Sequence, residues 1–129
     1  MHNMKFNLII IVFYKKVCYT INVGGKVMNT KIYTINDIKK LLNEVLRDTD
    51  VNKATLFGSY AKKTPTKTSD IDILIDSNGK LKGLKFFAII EMIREKFDKD
   101  VDVIEKSEID KGSRIEKEIE KTGVVVYEK

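Results

Sequence analysis

Leu56-Phe57-Gly58-Ser59-Tyr60 and, further along, Ser69-Asp70-Ile71-Asp72-Ile73-Leu74-Ile75 decide how this chain is read. The first stretch is an apolar run that ends in Gly-Ser. The second is an apolar run carrying two carboxylates at positions i and i+2. On a β-strand such residues point to the same face, so Asp70 and Asp72 are expected to project side by side. Two carboxylates held together repel unless a cation lies between them, and oxygen-rich sites of this kind suit a hard divalent ion. The pair therefore points to a divalent metal and a phosphorylated substrate.

Working outward, each flank reads as a regular element. Upstream, Ile38, Leu41, Leu42, Val45 and Leu46 follow the 3, 4 spacing of one buried helical stripe, with Thr34 or Asn36 as the cap. Asp48-Thr49-Asp50 breaks that helix, and Asn52 to Phe57 reads as a buried strand ending at Gly58. A short helix is expected from Ser59 or Tyr60. Lys62 to Ser69, with the chain's single proline, Pro65, reads as a polar loop. Asp70 to Ile75 is the next strand, closed by the turn residues Asp76-Ser77-Asn78-Gly79. Leu84 to Phe97 is a long amphipathic helix carrying Phe86, Phe87, Ile89, Ile90, Ile93 and Phe97, and the Phe86-Phe87 pair is read as core rather than a base-stacking platform. Val101 to Ile104 is a third strand. Ser113 caps a charged helix from Arg114 to Lys121 that Gly123 stops. Val124 to Tyr127 is a fourth strand, read as core rather than as an exposed edge for a partner. This order predicts an α/β (α+β) domain with a small mixed sheet of about four strands and helices packed on it.

The 129 residues suit one domain, and the apolar content of 43% and charged content of 33% are those of a globular chain rather than a disordered one. The single cysteine, Cys18, has no partner for an internal disulfide, which fits a reducing cytoplasm. The formal net charge is +5, but Lys5, Lys15, Lys16 and Lys26 lie in residues 1–27, which hold no Asp or Glu. Removing those four leaves 20 basic side chains against 19 acidic ones in residues 28–129. The basic excess belongs to the leader, so a long nucleic acid is not expected as a partner. The apolar run Asn7 to Tyr14 is shorter than the ~20 residues a membrane helix needs, and no membrane partner is expected. Gly24-Gly25-Lys26-Val27-Met28 is encodable by a ribosome-binding sequence two codons before a start codon. The expected organisation is thus a leader, 1–27, ahead of a domain, 28–129, that begins at a native start, Met28. An ordered extra strand and a targeting segment are the alternatives for the leader.

In the domain, Gly58 lets backbone approach a ligand, and the amides of a helix start favour phosphate, with the Ser59 hydroxyl beside them. Asp70 and Asp72 suit Mg²⁺. A third carboxylate is expected from a neighbouring strand, and Asp102 is preferred over Asp100 because it lies inside the apolar run. Three carboxylates permit two ions and two-metal chemistry. Asp102 then ligates the activating ion or accepts the nucleophile's proton. Tyr60 is read as a packing or surface residue and Arg114 as a surface one, and Lys62, Lys63 and Lys67 divide evenly between phosphate contact and a solvated loop.

Gly58-Ser59, the spacer, Ser69-Asp70-x-Asp72 and the later Val101-Asp102-Val103 resemble the signature of the polymerase-β-type nucleotidyltransferase superfamily, and the chain's size is similar to its minimal members. The resemblance covers roughly residues 35–127. It implies transfer of AMP from ATP to an acceptor. Gly58, Ser59, Lys62 and Ser69 would contact the nucleotide, while Asp70, Asp72 and Asp102 would hold Mg²⁺ and perform the catalysis. It also implies a HEPN-type toxin as partner, with the nucleotidyltransferase acting as an antitoxin that adenylylates a toxin tyrosine. The sequence departs from the usual Gly-Ser-x-Ala-Arg-Gly, having Gly58-Ser59-Tyr60-Ala61-Lys62-Lys63. Lysine keeps the charge and loses the planar fork that grips phosphate. The competing readings are transfer to a small molecule such as an aminoglycoside or to an RNA end, and a module that binds its toxin without catalysis.

Overall fold

The computed structural model describes the backbone of residues 8–14 and 17–23, and residues 31–129. Leu8–Tyr14 (β1) and Val17–Val23 (β2) form an antiparallel hairpin that is a sheet of its own. The expected start at Met28, the Gly24-Gly25 stretch before it and His2 lie outside the described residues.

The main sheet contains Lys53–Phe57 (β3), Ile71–Asp76 (β4), Val101–Glu105 (β5) and Val124–Glu128 (β6), in the spatial order β5-β4-β3-β6. β3 runs antiparallel to both β4 and β6, while β4 and β5 are parallel, so the sheet is mixed, as the element order predicts. Helix α1 spans Ile35–Leu46, and its start is fixed reciprocally. The Thr34 hydroxyl accepts from the Asp37 amide and the Asp37 carboxylate accepts from the Thr34 amide, both at 3.0 Å. Its stripe of Ile38, Leu42, Val45 and Leu46 is buried, with Leu41 packed at the margin.

α1 and Leu84–Lys96 (α3) form one layer against the sheet. Their apolar side chains meet Ile71, Ile73 and Ile75 of β4 and Ala54 and Leu56 of β3 in a continuous core. The helices are held across the chain as well. The Tyr127 hydroxyl donates to the Leu46 carbonyl at 3.2 Å, and the Tyr33 hydroxyl accepts from the Asp98 amide at 2.8 Å. β6 lies at one edge of the sheet and still buries Val126 and Tyr127.

The Phe86-Phe87 pair, expected in the core, is split. Phe86 packs against the core, but Phe87 is 62% exposed. Consecutive helical residues lie about 100° apart, and α3 packs on the sheet and on α1 from one side, so it buries the face of Ile89, Ile90 and Ile93 and Phe87 falls outside it. Among the described residues no helix is long and apolar enough to cross a membrane.

Candidate functional site

The site lies where β3, β4 and β5 present the same end to solvent. β3 passes directly into a one-turn helix, α2 (Gly58–Ala61), that starts one residue earlier than the sequence predicts. The register pairs Phe57 with Asp72 and Asp72 with Asp102. Directly paired residues share a face of a sheet, so Asp72 and Asp102 stand side by side, one strand apart. Asp70 is one residue before β4 and flanks the same end. The alternation along β4 separates the faces: Ile71, Ile73 and Ile75 are buried in the helical core, while Asp72 is half-buried on the opposite face. Asp102 and Asp70 are exposed. Asp100 also precedes β5; its side chain is exposed, and its carbonyl accepts from the Ile71 amide at 3.0 Å.

Gly58 is required at this junction for two reasons. Its φ is +73°, and a Cβ added there would collide with the Asp72 carboxylate. The backbone therefore lies against Asp72, which brings the Gly-Ser turn and the Asp72 carboxylate into one locus. The Ser59 hydroxyl is half-buried and makes no hydrogen bond among the described residues, which leaves it free for a ligand. Ser69 differs. Its hydroxyl accepts from the Thr66 amide at 2.8 Å and lies 3.1 Å from the Thr66 hydroxyl, so it shapes the loop that delivers Asp70.

The helix Arg114–Thr122 (α4) supplies a residue that the sequence did not single out. Glu118 Oε1 lies 3.4 Å from Lys62 Nζ, tying α4 to the residue just after α2. Burial, then the charges of Asp102, Asp70 and Glu118, push the Asp72 carboxyl up to about 6 from its ordinary 3.8. Glu118 is one of three glutamates between Glu116 and Glu120, and nothing in that pattern marks the one that faces the site. Lys63, at φ +60°, lines a shallow pocket of about 360 Å³ with Tyr33, Asn36, Tyr60 and Pro65. None of the other nominated residues borders that pocket. Tyr60 is a packing residue, 2% exposed, and Arg114 is on the surface.

Among the described residues no three His, Cys, Asp or Glu side chains converge closely enough to hold a metal ion by themselves. None of Asp70, Asp72 and Asp102 is ion-paired there either. The donor set is all carboxylate oxygen, and burial together with the neighbouring carboxylates pushes Asp72 upward. This fits a hard ion such as Mg²⁺, which keeps waters and completes its shell with substrate phosphates rather than using a closed protein cage.

The family model for polymerase beta nucleotidyltransferases matches residues 36–129. Two Methanocaldococcus jannaschii proteins, each provisionally named a protein adenylyltransferase, are similar to the chain. One is 34% identical over 97 residues, covering 72% of this chain and 98% of its own length. The other is 31% identical over 86 residues, covering 64% of this chain and all of its own, 100%. Among solved structures, a chain from a toxin-antitoxin crystal structure with AMP-PNP superposes with a TM-score of 0.58 at 22% identity, over 70% of this chain and 73% of that one. A chain from the complex of the Shewanella oneidensis tri-AMPylated HEPN toxin with its MNT antitoxin gives 0.55 at 19% identity, over 74% of each. At these identities the structural likeness is one of fold.

Proposed function

Because the chain belongs to the polymerase beta nucleotidyltransferase family, we propose that it transfers AMP from ATP to a tyrosine of a HEPN-type toxin, in a Mg²⁺-dependent reaction that neutralises the toxin. The observation that carries this reading is the register. Asp72 is paired with Asp102 on one side and with Phe57 on the other, and the turn at Gly58 packs on the Asp72 carboxylate. The provisional names of the relatives and the partners named in the neighbouring structures support the acceptor class.

In this reaction the tyrosine oxygen attacks the α-phosphorus of ATP. The new O–P bond forms as the bond to pyrophosphate breaks, and the phenolic proton passes to a carboxylate at the open face. Asp102 is best placed to take it, being exposed on the strand beside Asp72. Gly58 and Ser59 line the triphosphate through backbone amide and hydroxyl, and Lys62 supplies positive charge from the end of α2. Asp70 and Asp72, with Asp102, would hold one or two Mg²⁺ ions, which when bound would polarise the phosphate and offset charge on the leaving pyrophosphate. Residues 28–129 are the acting unit and the cytoplasm, with its ATP, is the setting.

The test is incorporation of label from α-labelled ATP into a co-expressed HEPN-type partner. We expect Mg²⁺-dependent labelling of a partner tyrosine, reduced to background by Asp70→Asn with Asp72→Asn. Labelling that survives the double substitution, or that needs no divalent ion, would refute the reading.

A further inference from the structure

Asp70 lies between the polar loop and β4, where its side chain is exposed and makes no ion pair among the described residues, yet a metal ligand must be held within about 0.5 Å. The support comes from the segment leading into β5. Lys99 Nζ donates to the Lys67 carbonyl at 2.9 Å and to the Ser69 carbonyl at 3.1 Å. One residue later, the Asp100 carbonyl accepts from the Ile71 amide at 3.0 Å. The residues on both sides of Asp70 are thus fastened to the two residues preceding Val101, and Asp102 follows immediately. Within the loop, the Ser69 amide donates to the Thr66 carbonyl at 3.1 Å, closing a turn whose outward carbonyls are the ones Lys99 occupies.

We propose that Lys99 is a positioning residue for nucleotidyl transfer. Its ammonium group clamps the loop carbonyls before Asp70, so that Asp70 keeps its place relative to Asp72 and Asp102. The inference rests on the proposed Mg²⁺-dependent reading of the site. An ammonium group suits this task because it is a compact charge with three donors, and two carbonyls converging on it resemble the coordination of a small cation. The clamp links ligands from two parallel strands across a long stretch of sequence. Without it the loop's closing turn and the Ile71–Asp100 bond remain, but the Lys67 and Ser69 carbonyls lose their tie to the segment before β5.

The test titrates Mn²⁺ into the full chain with a non-hydrolysable ATP analogue, by calorimetry, beside amide hydrogen exchange of residues 62–70. Removal of a group that orients a metal ligand typically weakens metal affinity 10–100-fold. We expect Lys99→Met to weaken Mn²⁺ binding about tenfold and to speed exchange in the loop, with the melting temperature little changed. Lys99→Arg, whose fork can span both carbonyls, should restore affinity to within about threefold. If Lys99→Met does not fold, Lys99→Leu, which also removes the donor, carries the same comparison. Faster loop exchange with unchanged Mn²⁺ affinity would overturn the proposal and make Lys99 a loop fastener only. Failure of the unsubstituted chain to bind Mn²⁺ with the analogue would instead overturn the functional reading beneath it.

Discussion

The two faces of β4 differ as much as any two regions of the molecule. Ile71, Ile73 and Ile75 are each 0% exposed and lock α1 and α3 onto the sheet. Asp72, between two of them in sequence, lies on the opposite, half-covered face beside Asp102. A two-residue repeat thus places the stabilising apolar contacts and the site-facing carboxylate on one short strand without mixing them. One face is buried at a gain of about 1.5–3 kcal/mol per large side chain. On the other, like charges are crowded at a cost that a bound cation would offset.

That contrast can be broken from either side. The largest expected effect is on the buried face. Ile73→Ala leaves a cavity in a close-packed core and should lower unfolding free energy by about 3–4 kcal/mol in chemical denaturation. Labelling per folded molecule should survive, and a selective loss of labelling at unchanged stability would show that the two faces are not separate.

A smaller effect with the opposite sign is expected from Asp72→Asn. The native state raises the Asp72 carboxyl from 3.8 to about 6, so it binds this proton more tightly than the unfolded chain does. The resulting stabilisation is fully present below pH 3.8 and is lost as pH rises through about 6. At pH 7.5, without metal, Asp72→Asn should therefore raise stability. Solvent screening of a half-exposed group limits the gain to about 1 kcal/mol. Metal binding has the reverse dependence, since it needs the ionised carboxylate and should weaken as pH falls through about 6. A destabilised Asn variant at pH 7.5 would refute the crowding argument.

The smallest effect concerns the Lys62–Glu118 pair. Both side chains are partly exposed, so Glu118→Gln should change stability by no more than about 0.5 kcal/mol. It should still lower the Asp72 titration midpoint in a carboxyl NMR experiment, because one of the charges that raise it is removed. An unchanged midpoint would mean that Glu118 is only a tether for Lys62.

Legibility in the sequence followed the range of the interactions. The cap at Thr34, the stripe of α1, the alternation of β4 and the cap at Ser113 depend on residues within a turn or two, and all were readable in place. Phe87 was misread because its neighbour Phe86 and the stripe around it are apolar on two sides, and periodicity alone does not say how much of a helix a narrow sheet can cover. Ser69 reads in sequence as part of the Asp-x-Asp signature, yet its hydroxyl engages Thr66. Glu118 and Lys99 gave no local signal, since each meets its partner from a distant part of the chain.

Periodicity, turn chemistry and charge are local properties, so the helices and strands between residues 35 and 128, their order and the spacing of Asp70, Asp72 and Asp102 were legible from the chain alone, while the hairpin of β1 and β2 was not. Only the tertiary structure decided that Asp102 stands beside Asp72, that Gly58 must lack a Cβ because of the Asp72 carboxylate, and that Lys99 holds the loop before Asp70. Those relations depend on strand register and on contacts between residues far apart in the chain, which exist only once the core has set the strands side by side.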